Sequence, residues 1–78
     1  MFLNAKRRKQ VAEAITHIGS AKEILESVRD EEQDAMDNMP ESLMDTDRYS
    51  HMEDAVESIE SAIDLLDDAV DDLQTAST

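Results

Sequence analysis

Between Glu53 and Asp72 the chain carries nine carboxylates and no base: Glu53, Asp54, Glu57, Glu60, Asp64, Asp67, Asp68, Asp71 and Asp72. Such an array can do three kinds of chemistry: chelate a hard cation, exchange protons with a substrate, or bind a basic surface by charge. Chelation has a testable form at Asp45-Thr-Asp47-Arg-Tyr49-Ser50. A calcium loop needs Gly at its sixth position and Glu at its twelfth, and here those positions are Ser50 and Val56, so the loop reading fails. Proton chemistry fares no better. His17 lies one turn from Glu13, and His51 lies three residues before Asp54, but the paired Glu-x-x-His pattern of a di-metal bundle is missing. The histidines read as surface residues, and no metal or cofactor is expected. With no Cys, thiolate ligands, thiol nucleophiles and disulfides are excluded. The chain reads as non-enzymatic, and the array is then either a solvated face that serves solubility or a surface that binds by charge.

The charge itself is uneven. The formal net charge is −13, from twenty Asp and Glu against seven Lys and Arg. Six of the bases and only three of the acids lie before residue 30; from Asp30 on stand seventeen acids and one base, Arg48. The main body would repel phosphates, which argues against direct nucleic-acid or anionic-lipid binding and favours a basic protein surface as partner. Over the acidic stretch, about 29 Å of helix at 1.5 Å per residue, carboxylates recur about every 3 Å of axis. That is close to the spacing of about 3.4 Å between phosphates along one DNA strand.

The elements that must position these acids are helices. One Gly, one Pro and two aromatic residues in 78 suit long helices and not a β fold. From Tyr49 to Leu73 bulky apolar residues step by three and four: Tyr49, Met52, Val56, Ile59, Ile63, Leu66, Val70, Leu73. This is the a/d seam of a coiled coil or helical hairpin, with Ala55, Ala62 and Ala69 each preceding a β-branched seam residue. An earlier helix spans 4–38, with Asn4 as N-cap. Its stripe is read as Ala14, Ile18, Ala21, Leu25, Val28, Ala35 and Met39, interrupted by Glu32 and widened by Val11, Ile15 and Ile24. Gly19 inside it marks either a close helix contact or nothing.

Pro40 stops that helix. A turn over 39–46 follows, with Met39, Leu43 and Met44 expected to close the bundle end. Met36 and Met52 lie near the same end, and only Met1 of the five methionines is remote. Asp45, Thr46 or Asp47 can cap a second helix over 47–74, or Ser50 with Glu53 if it starts later. The last residues, 75–78, are expected to fray. The fold class is therefore all-α: one domain, an antiparallel two-helix hairpin. Antiparallel packing is expected to set Lys6, Arg7, Arg8 and Lys9 against Asp67, Asp68, Asp71 and Asp72, with Lys22 and Arg29 reaching Glu60 or Asp64. One interface cannot cover so wide a first stripe, and Leu65 lies outside the second seam. A homodimer forming a four-helix bundle is therefore expected, with Ile18, Leu25, Val28, Val56, Ile59, Ile63, Leu66, Val70 and Leu73 as its self-association seam.

Met1-Phe2-Leu3 is followed at once by Asn4 and a basic run, so no signal-peptide apolar region is expected, and no stretch suits a membrane span. A cytoplasmic location is the corresponding expectation.

Three segments, Arg29-Asp-Glu-Glu-Gln33, Asp37-Asn-Met-Pro-Glu-Ser-Leu43 and Met52-Glu-Asp-Ala-Val-Glu57, carry a resemblance over roughly residues 22 to 73. They resemble small acidic helical-hairpin proteins of bacteriophages and prophages. The resemblance implies a hairpin fold and a phage-infected or lysogenic bacterial cell as its setting, with no activity attached. By charge and size the chain is also similar to phage inhibitors that imitate nucleic acid, of the anti-restriction and anti-CRISPR kind. That similarity implies a protein that blocks a nucleic-acid-binding surface of a host defence protein. The alternative is a structural coiled-coil module for self-association or scaffolding, in which the seam matters and the acids tolerate substitution.

Overall fold

The computed structural model describes residues 3–78; Met1 and Phe2, part of the opening read above for a leader, lie outside the described residues. Two helices make up the fold, α1 over Ala5–Asp37 and α2 over Asp47–Ala76, joined through a single 3-10 turn at Glu41–Leu43. They lie antiparallel, late α1 beside early α2, in a rod of 59 × 17 × 13 Å.

Each boundary has a local cause. The Asn4 carboxamide oxygen accepts from the Arg7 backbone N–H at 2.9 Å, satisfying one of the donors a helix start leaves open. At the other end the Asn38 N–H reaches back to the Asp34 carbonyl at 3.0 Å, and extended Pro40 (φ −58°, ψ 143°) then redirects the chain. Of the candidate caps for α2, Thr46 serves. Its hydroxyl donates to the Leu43 carbonyl at 2.6 Å and accepts from the Tyr49 N–H at 3.4 Å, tying the turn to the helix. Met39 and Met44 are half-buried in the turn as expected, whereas Leu43 is exposed.

Helix α2 runs two residues further than the spacing predicted. Hydroxyls of Thr75, Ser77 and Thr78 each donate to the carbonyl four residues back, at 2.8–3.0 Å, so the final carbonyls are satisfied and the last turn holds.

The α2 seam stands as read. Val56 and Ile63 are buried, and Tyr49, Met52, Ile59, Leu66, Val70 and Leu73 are half-buried. The α1 seam differs. Its inward positions are Val11, Ile15, Ile18, Lys22, Leu25, Arg29, Glu32, Met36 and Met39, again stepping by three and four. Ala14, Ala21, Val28 and Ala35 stand one residue before an inward position and are exposed. The difference arises because Lys22 and Arg29 can lay their aliphatic stems along the seam while their charged ends reach its edge. Glu32 does not break the seam but occupies it, half-buried.

Only Met36, Val56 and Ile63 are buried among the described residues, all within the turn-proximal and central part of the rod. A methyl group added at Gly19 would meet nothing within 4 Å, so this glycine is not a close-contact position within the hairpin. Two mutations should separate packing from propensity. Ile63→Ala should cost about 2–4 kcal/mol by emptying a buried site. Gly19→Ala should raise stability by about 0.5–1 kcal/mol through helix propensity alone. Urea unfolding followed by circular dichroism, at one fixed protein concentration, measures both.

Candidate protein-binding surface

The register follows from the turn. Residues at equal distances before and after it must lie side by side, and Lys22 accordingly meets Asp67, Nζ to Oδ1 at 2.5 Å. The groove near the turn agrees, bringing Gln33 and Met36 of α1 to Tyr49, Glu53, Val56, Glu57 and Glu60 of α2. Three expected pairings are thereby corrected. Lys22 pairs with Asp67 and not with Glu60 or Asp64. Lys6, Arg7, Arg8 and Lys9 do not face Asp67–Asp72, because in this register α2 ends at Ala76 before it comes level with them. Among the described residues no acid lies within ion-pair distance of these four bases. Arg29 reaches neither Glu60 nor Asp64 but bonds its own neighbour, Nε to the Asp30 carboxylate at 3.2 Å.

All nine carboxylates of the array are exposed. Lys22 engages Asp67, and the other eight have no ion pair among the described residues. They are not spread evenly round α2. Glu53, Glu60 and Asp67 recur at seven-residue intervals beside the seam, with Glu57, Asp64 and Asp71 one step further out on the same side. Glu53, Glu57 and Glu60 line the groove with Gln33 of α1, so this flank of the hairpin is acidic on α2 and polar on α1. Asp54 and Asp68 continue it round the outer surface of α2, and Asp72 lies toward the other side. Asp30, Glu31, Asp34 and Asp37 add exposed acids from α1 toward the turn. The arrangement can hold basic groups along a length of helix; among the described residues, no cluster of His, Asp and Glu could hold a metal ion. His17 and His51 are exposed. No helix is long and apolar enough to cross a membrane.

The opposite flank is of another character. Ala14, Ala21, Val28 and Ala35 of α1 and Ala55, Ala62 and Ala69 of α2 recur at seven-residue intervals, each one place before a seam residue, and Ala76 continues the row. In antiparallel helices that position falls on the same side of both. Ile24, 64% exposed, neighbours Ala21 and Val28 on the helix surface; Leu65, 65% exposed, neighbours Ala62 and Ala69. Of the predicted self-association seam, Val28 belongs to this outer flank at 42% exposure. Ile18, Leu25, Val56, Ile59, Ile63, Leu66, Val70 and Leu73 lie between the two helices. Sequence reading placed the α1 alanines in the seam; the telling signal was that Lys22 and Arg29 complete an unbroken three-four spacing from Val11 to Met39.

Lys22 holds its proton above the ordinary lysine value of 10.5, chiefly through its hydrogen bond to Asp67, with the negative fields of Asp67, Glu26 and Asp64 adding to it. A base whose folded-state value is raised adds stability below its unfolded value and loses that contribution as pH climbs through the folded one. On the alkaline side the pair therefore persists through neutral pH, and its contribution is lost only as pH rises above 10.5. Asp67→Asn should bring the Lys22 titration, followed by NMR of its side chain, back down toward its ordinary range.

Compared with known proteins, the chain matches no family model, and no curated protein or solved structure is significantly similar to it.

Proposed function

We propose that the hairpin is a non-enzymatic, acidic protein-binding module whose α2 carboxylates occupy a basic, nucleic-acid-binding surface of another protein. The observation that carries this reading is the exposed array itself, nine carboxylates of which only Asp67 meets a base among the described residues. A face that served solubility alone would normally intersperse Lys for i, i+4 pairing. This one leaves its charge unneutralised along about 29 Å of helix. In the setting implied by the turn motif Asp37-Asn-Met-Pro-Glu-Ser-Leu43, the partner is a bacterial defence protein, and the hairpin is a phage-encoded inhibitor acting in the cytoplasm by charge mimicry. The module works as a homodimer, two hairpins forming a four-helix bundle. A structural role in self-association or scaffolding is the second reading, favoured by the exposure of Ile24 and Leu65 on a rod with three buried residues among those described.

The two readings part on the acids. Asp64, Asp68, Asp71 and Asp72 replaced by Asn remove four charges while sparing the Lys22–Asp67 pair. Immobilised wild-type protein should retain nucleic-acid-binding proteins from bacterial lysate at low salt, release them as salt rises, and yield them to added DNA. For a protein so retained, the fourfold variant should bind at least ten-fold more weakly. Unchanged affinity of the variant would reject the charge array and leave the structural role.

A further inference from the structure

The alanine flank is exposed at Ala14, Ala21, Val28, Ala35 and Ala55 and half-buried at Ala62 and Ala69, and the basic end of α1 meets no acid among the described residues. We infer that one partner satisfies both: a second copy of this chain, packed flank to flank with its turn at the opposite end of the rod. The inference rests on the homodimer proposed above and assigns its face and orientation.

Charge selects the occupant. On a chain of net charge −13, the alanine flank and the row beside it carry Arg7, Arg48, Glu31 and Asp72 as formal charges, two of each sign, with Glu23 at the outer edge of the hollow that Ile24 and Val28 line. Two such flanks can approach without the repulsion that any other side of the rod would meet. From Ala14 to Ala35 the strip is about 32 Å long and, two helices wide, about 20 Å across, on the order of 600 Å² per copy. That approaches the roughly 800 Å² per partner of a standard specific interface. Alanines every seventh residue on both helices keep the approach close, and Ile24 and Leu65 supply the bulk. The Lys22–Asp67 register sets these two at the same height along the rod, near the middle of the strip.

Charge also selects the orientation. Lys6, Arg7, Arg8 and Lys9 project past the end of α2, while the turn end carries Asp37, Glu41, Asp45 and Asp47. With both turns at one end, the acidic turns would adjoin and the basic ends would face each other. With turns at opposite ends, each basic cluster lies against the acidic turn of the other copy. The geometry closes from two directions. The midpoint between Ala14 and Ala35 and the midpoint between the Lys6–Lys9 cluster and the turn at Glu41–Ser42 both fall at Ile24–Leu25. A two-fold axis there brings Ile24 against Ile24 of the other copy and sets Glu31 level with its His17. The bases found without an acid in the hairpin, adverse to their own helix dipole, then have one in the dimer.

The chain lacks Cys, so single cysteines report the arrangement cleanly. Sedimentation equilibrium should give a dimer mass for the wild type, and Ile24→Gln with Leu65→Gln should weaken dimerisation at least ten-fold. Both positions are largely exposed in the hairpin and Gln is neutral, so helicity and net charge are kept. Ile24→Cys should oxidise readily to a disulfide-linked dimer, faster than an equimolar mixture of Ile24→Cys and Leu65→Cys chains forms the mixed species. A monomeric wild type would overturn the homodimer itself. A dimer unaffected by the Gln pair would leave the homodimer standing and overturn this face. Preferential mixed Ile24–Leu65 crosslinking would overturn the orientation.

Discussion

Everything in this rod depends on the phase of one seam against another. An apolar step of three and four residues keeps a side chain on the same line of a gently supercoiled helix, and two such lines must meet along their whole length. The short turn then removes the remaining freedom, because Asn38 and Thr46 end and begin the helices within a few residues of each other. Lys22 opposite Asp67 and Met36 beside Val56 are consequences of that single constraint. Neither ion pairing nor helix dipoles had the strength to choose otherwise. Exposed pairs contribute about 0–1 kcal/mol, whereas sliding one seam past the other would take buried Val56 and Ile63 out of contact.

The same periodicity sorts the surface. Once the seam is fixed, positions just before and just after it fall on opposite flanks, and the sequence fills them differently. Alanine and valine occupy one flank on both helices; acids on α2, with Glu26 and Gln33 on α1, occupy the other. The hairpin is thus two-sided, one flank rich in small apolar residues and sparsely charged, the other acidic. A partner attracted by charge and a partner attracted by apolar contact would use different flanks and need not compete.

How much of this could be read in advance differs between the helices. The α2 seam was legible because, Leu65 apart, every bulky aliphatic residue of the helix falls on it, so one phase alone fits. In α1 two stripes overlap, and the more apolar one, through Ala14, Ala21, Val28 and Ala35, is the exposed flank. The true seam passes through Lys22, Arg29 and Glu32, which a hydrophobicity rule rejects but a spacing rule accepts. The acidic array was legible residue by residue, since exposure follows from charge. The overhang of Lys6–Lys9 was not legible, because attraction between opposite poles is easy to see in a sequence while register depends on counting outward from a turn whose length is fixed by Pro40 and the Thr46 cap.

The energetics of α2 finally bear on why its acids are there. Five pairs of carboxylates stand at i, i+4: Glu53–Glu57, Glu60–Asp64, Asp64–Asp68, Asp67–Asp71 and Asp68–Asp72. At about 0.2–0.5 kcal/mol of repulsion each, they cost this helix about 1–2.5 kcal/mol, relieved in the hairpin only at Asp67 by Lys22. Aspartates near the C-terminus of α2 add an unfavourable interaction with its dipole. A rod with three buried residues among those described has little stability to give away. Interspersed lysines would have kept it soluble and made it more stable. On the proposed function, a basic partner would relieve the repulsion at the moment of binding, so part of what the free hairpin loses in stability would return as affinity, and the proposed second copy on the alanine flank would supply packing that offsets the loss.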